Sequence, residues 1–224
     1  MSETIRVVLV DDDALVRAGL GMILGGASDI EVVGEAADGV EALTTITTTQ
    51  PDVVLMDLRM PRRDGLEATR LVMAGQASSG RLSPTRVIVL TTFDTDDMVV
   101  TALRAGASGF LLKDTPPERI VAAIRSVADG EPTLSPTVTA QLIASVTSTD
   151  GGRAEAARTQ LDGLTDRERE VAVAIGRGRS NAEIAAELYL GVPTVKTHVS
   201  RLLTKLGADN RVQIALIVHD AGLT

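Results

Sequence analysis

Cysteine is absent from the 224 residues, which excludes disulfides and thiolate metal sites, and the two isolated histidines, His198 and His219, cannot build a His-rich zinc site. Any metal held here must be bound by oxygen. No apolar run approaches the roughly 18 residues that a membrane span needs, and MSETIRVVLV lacks the basic start, long apolar stretch and small-residue cleavage site of a secretory leader. A cytoplasmic location with no membrane partner is the expectation. A net positive charge is also missing: the chain carries −8, which ordinarily argues against nucleic-acid binding. That charge is unevenly spread. Residues 1–128 have 12 Lys+Arg against 18 Asp+Glu, residues 129–163 have 2 against 5, and residues 164–224 have 8 against 7. Within the last segment Lys196, Arg201, Lys205 and Arg211 fall close together with only Asp209 opposing them, the local footprint that phosphate contact requires.

What is present points to two domains, since typical domains run to roughly 100–150 residues. Residues 1–128 alternate β-branched runs with helix-like segments, the pattern of a parallel sheet covered on both faces. Five strands are expected at 5–10, 30–36, 53–57, 86–91 and 109–112, and helices at about 14–25, 38–48, 64–74, 96–105 and 117–129. The Gly/Ser/Pro-rich stretch 74–85 reads as a loop. Residues 129–163 read as a linker with one helix at 137–146 and uncertain helical content after it, and residues 164–224 read as all-helical.

In an open parallel sheet, ligands bind at the carboxyl ends of the strands. Strand one ends in Asp11-Asp12-Asp13, strand three in Asp57, strand four in Thr91-Thr92, and strand five is followed by Lys113. Any one of these is commonplace as a turn, a cap or a surface charge; their joint occurrence in this order is the signal. Carboxylates gathered at one edge repel unless a hard cation neutralises them, and Mg²⁺ suits such an oxygen site. A carboxylate nucleophile attacking a phosphoryl group needs this equipment, together with an ammonium and a hydroxyl.

The motifs VLVDDD (8–13), VLMDLRMPRRDG (54–65), VLTTF (89–93) and GASGFLLKD (106–114) resemble those of a receiver domain of the response-regulator family. The resemblance implies a flavodoxin-like α/β fold, a five-stranded parallel sheet of order 2-1-3-4-5. It implies that Asp57 is the phosphoacceptor, and that Mg²⁺ is bound by Asp11, Asp12, Asp57 and the main-chain carbonyl of Arg59. By the same resemblance Thr91, Phe110 and Lys113 form the switch, with Phe110 passing from an exposed to a buried rotamer. A haloacid-dehalogenase-type phosphatase would want an aspartate at position 59, which is Arg, and a flavin phosphate would be repelled by DDDALVRAG.

The stretch 163–211 resembles the LuxR/NarL-type helix-turn-helix, so that the whole chain is similar to the NarL/FixJ response regulators. Its local signals agree. Thr165 with Glu168, and Ser180 with Glu183, have capping-box spacing ahead of helices, and Tyr189-Leu190-Gly191 reads as the turn. A recognition helix is expected over 192–206, with Pro193 in its first turn and an apolar stripe of Val195, Val199, Leu202, Leu203 and Leu206. By resemblance Lys196, Thr197 and Ser200 read bases, and Thr194, Arg201, Lys205 and Arg211 contact phosphates. The implied partners are a sensor histidine kinase, double-stranded DNA and a second copy of the chain. Ile214, Leu216, Ile217 and Val218 are candidates for the dimer interface or the core. The family is a regulator rather than a turnover enzyme. The rival function is a phosphorylation-independent regulator that uses its first domain only as a dimerisation scaffold.

Overall fold

The computed structural model describes residues 4–79, 84–92, 96–134 and 151–223. The apolar runs form strands β1 (Ile5–Val10), β2 (Ile30–Ala36), β3 (Val53–Met56), β4 (Arg86–Thr91) and β5 (Gly109–Leu112), all parallel, in the order 2-1-3-4-5. A two-residue strand, β6 (Thr133–Leu134), adds a sixth parallel member beside β5 that the sequence pattern did not announce. Two residues are too few to show a period. Helices α1 (Ala14–Gly25), α2 (Gly39–Thr49), α3 (Gly65–Ser79), α4 (Asp96–Arg104) and α5 (Pro117–Ala128) alternate with the strands.

Because successive strand side chains point to opposite faces, β1 feeds two cores at once. Val7 and Leu9 pack with Leu24 of α1 and Ile124 of α5, whereas Val8 and Val10 pack with Ala42 of α2 and Ala68 of α3. Burial on both faces explains why these strands read as continuous apolar runs. Asp13 starts α1 by accepting from the Leu15 N–H, and Asp38 starts α2 by accepting from the Val40 and Glu41 N–H groups. The expected loop at 74–85 begins later than its composition suggested, since α3 runs on to Ser79. Ala74, Gln76 and Ala77 are good helix formers and carry the helix past the single Gly75.

The C-terminal part is helical throughout its described residues: α6 (Gly151–Asp162), α7 (Asp166–Gly176), α8 (Asn181–Glu187), α9 (Val192–Leu206) and α10 (Arg211–Asp220). Both capping boxes form, at Thr165/Glu168 and Ser180/Glu183. Gly207, at φ +61°, terminates α9 in the left-handed conformation that glycine adopts at no steric cost. The apolar faces close on one core that includes Val171, Ile175, Ile184, Val195, Leu202 and Ile214. Helix α6 lies within the stretch expected to be linker, yet its Ala157 and Leu161 are buried in this core. The helix expected at 137–146 lies outside the described residues.

Candidate phosphoryl pocket and DNA-reading helix

The winding of the sheet reverses at β1, which has β2 on one side and β3 on the other, so the carboxyl ends of β1 and β3 face an open crevice. Ladder bonds set the residues that follow. The Asp11 N–H donates to Ala36 O at 3.1 Å and the Asp57 N–H to Val10 O at 2.9 Å, which brings two carboxylates out side by side. Both are buried, while Asp12 opens to solvent. Carboxylate oxygens of Asp11, Asp12 and Asp57 lie within 4.8 Å of one another.

Lys113, just beyond β5, spans this pair. Its ammonium donates to Asp11 Oδ2 at 2.6 Å and to Asp57 Oδ2 at 2.9 Å. Burial alone would pull the lysine down, but the hydrogen bonds to Asp11 and Asp57 outweigh it and hold Lys113 above its ordinary value. Asp11 is pushed up by burial, against opposing hydrogen bonds from Lys113 and the Asp13 N–H. The Lys113 N–H bonds to Thr91 O at 2.9 Å, tying the ends of β4 and β5 together. The Thr91 side-chain hydroxyl is buried there and has no hydrogen-bond partner among the described residues. Buried hydroxyls almost always have one, and this one can donate to an acceptor placed at the sheet edge.

The oxygen-only donor set fits a hard divalent cation such as Mg²⁺, which keeps several waters and takes one or two carboxylates. Three supports of the pocket escaped the sequence reading. Arg17 on α1 donates from Nη1 to Asp11 O at 2.7 Å and from Nε to Glu35 at 3.0 Å. A Cβ on Gly65 would stand 1.9 Å from Asp57 O, so only glycine lets α3 start against the acceptor strand. Arg62, at φ +62°, pairs with buried Asp38 and fastens the loop after β3 to α2. Gly65 and Arg62 both lay within the motif 54–65, whereas Arg17 lay in none.

Phe110 corrects one expectation. It is fully buried already, packed among Leu58, Val89, Val99, Leu103 and Val212, so no exposed starting rotamer is present. Helix α4 and Val212 of α10 supply the apolar neighbours that hold it inside.

On α9 the buried residues Val195, Val199, Leu202 and Leu206 form the expected stripe, with Leu203 partly covered. Thr194, Lys196, Thr197, Ser200, Arg201 and Lys205 are exposed. Several are nevertheless engaged. The Lys196 ammonium donates to Asp129 at 2.9 Å, just after α5, and Lys205 donates to the capping-box carboxylate of Glu168 at 2.7 Å. Arg211, expected at DNA phosphates, is 6% exposed and faces the N-terminal half in this arrangement. Its guanidinium donates to Glu131 Oε2 and Asn181 Oδ1, both at 2.9 Å, and to Arg179 O. The fork of donors matches the three acceptors, which is why it lies inside. A cavity of about 270 Å³ between the halves is lined by Arg86, Asp129, Glu131, Lys196, Ser200 and Arg211. Ile214 and Val218 are core residues, and Leu216 packs toward the Phe110 cluster.

A doubly wound sheet with an acidic edge and a bridging lysine, joined to a capped helix-turn-helix, defines the class of phosphorelay-type regulators. Residues 7–125 match the response regulator receiver domain, and residues 162–218 match the luxR family of bacterial regulatory proteins. The chain belongs to the two-component response regulators that carry a LuxR-type DNA-binding domain. It is 40% identical over 221 residues to the uncharacterized transcriptional regulatory protein YxjL of Bacillus subtilis, covering 99% of this chain and 98% of that one. It is also 40% identical to the transcriptional regulatory protein LiaR of the same organism, covering 96% and 97%. Among solved structures, the response regulator ChrA of a heme-sensing two-component system aligns over 99% of both chains, with 37% identity and a TM-score of 0.51. Among the described residues no helix is long and apolar enough to cross a membrane.

Proposed function

We propose that this regulator is switched by phosphorylation of Asp57, received from a sensor histidine kinase, and that the switch frees α9 to bind duplex DNA. The observation that carries the reading is the Lys113 ammonium bridging Asp11 and Asp57 while the buried Thr91 hydroxyl, at the next strand end, lacks a partner among the described residues. An Asp57 carboxylate oxygen attacks the phosphorus of a phosphoimidazole that is protonated on its other ring nitrogen, the P–N bond breaks, and its electron pair leaves on a neutral imidazole. Lys113 then exchanges its bond to Asp57 for one to a phosphoryl oxygen, and Thr91 donates to another. Asp11, Asp12, Asp57 and the Arg59 carbonyl would hold Mg²⁺, which would supply neutralisation of phosphoryl charge. The receiver thus promotes its own phosphorylation and dephosphorylation without being a turnover enzyme. Leu15 and Met22, seven residues apart on α1 and each 82% exposed, offer the kinase an apolar face on the helix that follows the acidic pair.

The DNA half follows from what covers it. With Lys196 paired to Asp129 and Ser200 on the cavity wall, the reading face of α9 is turned to the receiver. Parting of the halves frees Lys196 from Asp129 and clears the space beside Ser200 for a duplex, so that Lys196, Thr197 and Ser200 reach base edges and Thr194, Arg201 and Lys205, with Arg211 once Glu131 has left it, reach phosphates. Phe110 acts by releasing Val212 when α4 shifts, and the freed surfaces support a homodimer on two half-sites of DNA. Action in the cytoplasm accords with a DNA partner. Labelling with a small radioactive phosphodonor tests the centre of this reading: Asp57→Asn is expected to lose the label, and label retained on another residue refutes it.

A further inference from the structure

Asn210 is 96% shielded from solvent, at the junction between α9 and α10, and its amide faces two ways. Its Oδ1 accepts from the Gln213 N–H at 2.9 Å, which is an ordinary N-cap for α10. Its Nδ2 donates across the domain boundary, to Leu103 O at 3.2 Å and Ala107 O at 2.8 Å. Gln213 reinforces the same contact, donating from Nε2 to Leu103 O at 3.3 Å and Arg104 O at 3.1 Å. The last carbonyls of a helix have no partner within it; the turn after α4 takes up those of Thr101 and Ala102, whereas the Arg104 carbonyl, and the Leu103 carbonyl beside the Gly106 N–H, accept from amides of the DNA-binding domain. The negative end of α4 also meets the positive start of α10. Gly106, at φ +104°, permits the approach, because a Cβ there would come within 3.1 Å of Asp209 Cβ and collide with Met73.

Helix α4 connects two features of opposite kind. Its start follows β4, whose last residue is Thr91 with the unpartnered hydroxyl, and its end is held by Asn210 and Gln213. We propose that Asn210, supported by Gln213, is the positioning residue through which the DNA-binding domain reads α4, an inference that rests on the covered-helix reading above. A displacement of α4 withdraws the Leu103 and Ala107 carbonyls from Nδ2. The α10 cap survives, because it uses the other atom of the amide, so the domain is released folded. The asymmetry is chemical: an amide caps and grips together, whereas a carboxylate only caps.

The test uses the full-length chain and a fluorescent mixed-sequence DNA duplex at low salt, with and without beryllofluoride and Mg²⁺. Asn210→Asp keeps the N-cap oxygen but turns a carboxylate toward two carbonyls. Unphosphorylated N210D is expected to bind the duplex about tenfold more tightly than the unphosphorylated wild type, a usual size for allosteric coupling. Beryllofluoride should add little further. Gln213→Glu, which leaves the Asn210 cap in place, should shift affinity in the same direction and guards against a folding defect in the first variant. If both variants bind like unphosphorylated wild type while beryllofluoride still tightens wild-type binding, Asn210 does not read α4 and the switch stands. If beryllofluoride leaves wild-type binding unchanged, the switch itself falls.

Discussion

Replacing Lys113 with methionine removes the ammonium that joins Asp11 to Asp57 and leaves the rest of the pocket in place. Asp11 and Asp57 expose only 3% and 7% of their side chains, and Lys113 17%, so the loss strands two carboxylates in a largely dry site. Removing one partner of a buried ion pair costs about 3–5 kcal/mol. Here the remaining donors, the Asp13 N–H at 3.0 Å and the longer Arg59 N–H at 3.4 Å, and the solvent at Asp12 soften the loss. A cost of about 2–3 kcal/mol follows, or about 4–12 °C in Tm at about 2–4 °C per kcal/mol for a chain of this size. The same change makes the pocket hungrier for a divalent cation. Mg²⁺ at about 100-fold above its Kd adds about 2.7 kcal/mol to any protein that binds it only when folded, and Lys113→Met should reach that saturation at lower Mg²⁺ than the wild type. Thermal unfolding by circular dichroism, in EDTA and across a Mg²⁺ titration, gives both quantities. An unchanged Tm in EDTA, or a Mg²⁺ midpoint that does not fall, refutes the electrostatic account of the pocket.

On α9, Lys196→Ala should weaken specific duplex binding by the beryllofluoride-activated protein, whereas Arg201→Ala should weaken binding to any sequence and lessen its salt dependence by about one counterion; fluorescence anisotropy across a salt series checks this, and an unchanged affinity of the first variant removes Lys196 from the groove. In the DNA-binding domain, the Lys205 ammonium, with help from the Thr165 N–H, holds Glu168 at about 2, well below its ordinary 4.5. A depressed carboxyl stabilises above its unfolded value and loses that contribution as the pH falls through the folded one. Unfolding followed between pH 5 and pH 2 should therefore show a loss of stability in the wild type that is reduced in Glu168→Gln.

Much of the pocket was legible because its chemistry sits at strand ends. A strand buried on both faces announces itself by a continuous β-branched run, and the residue that breaks the run is the one at the sheet edge. Asp11, Asp57, Thr91 and Lys113 were found that way, as were both capping boxes, which depend on residues three apart. Arg17 was not legible, because nothing in ALVRAGL says that its guanidinium will turn back to the Asp11 carbonyl. Nor did the two residues of β6 carry a pattern of their own.

The division is clearest around Asn210 and Arg211. That Asn210 would cap a helix is a local fact, set by a short polar side chain just ahead of an apolar run. That its other amide atom would grip Leu103 at the end of α4 and Ala107 just beyond it, 107 and 103 residues upstream, is decided only when two independently formed surfaces meet. Arg211 looked like a DNA contact because the charges beside it are basic; the folded chain surrounds it instead with Glu131, Asn181 and the Arg179 carbonyl. Periodicity, caps and charge clusters act over a few residues and determined the elements, the acidic edge and the reading helix. The pairing of Lys196 on that helix with Asp129, and the inward position of Phe110, came from contacts between parts of the chain that share no local pattern, and only tertiary packing could place them.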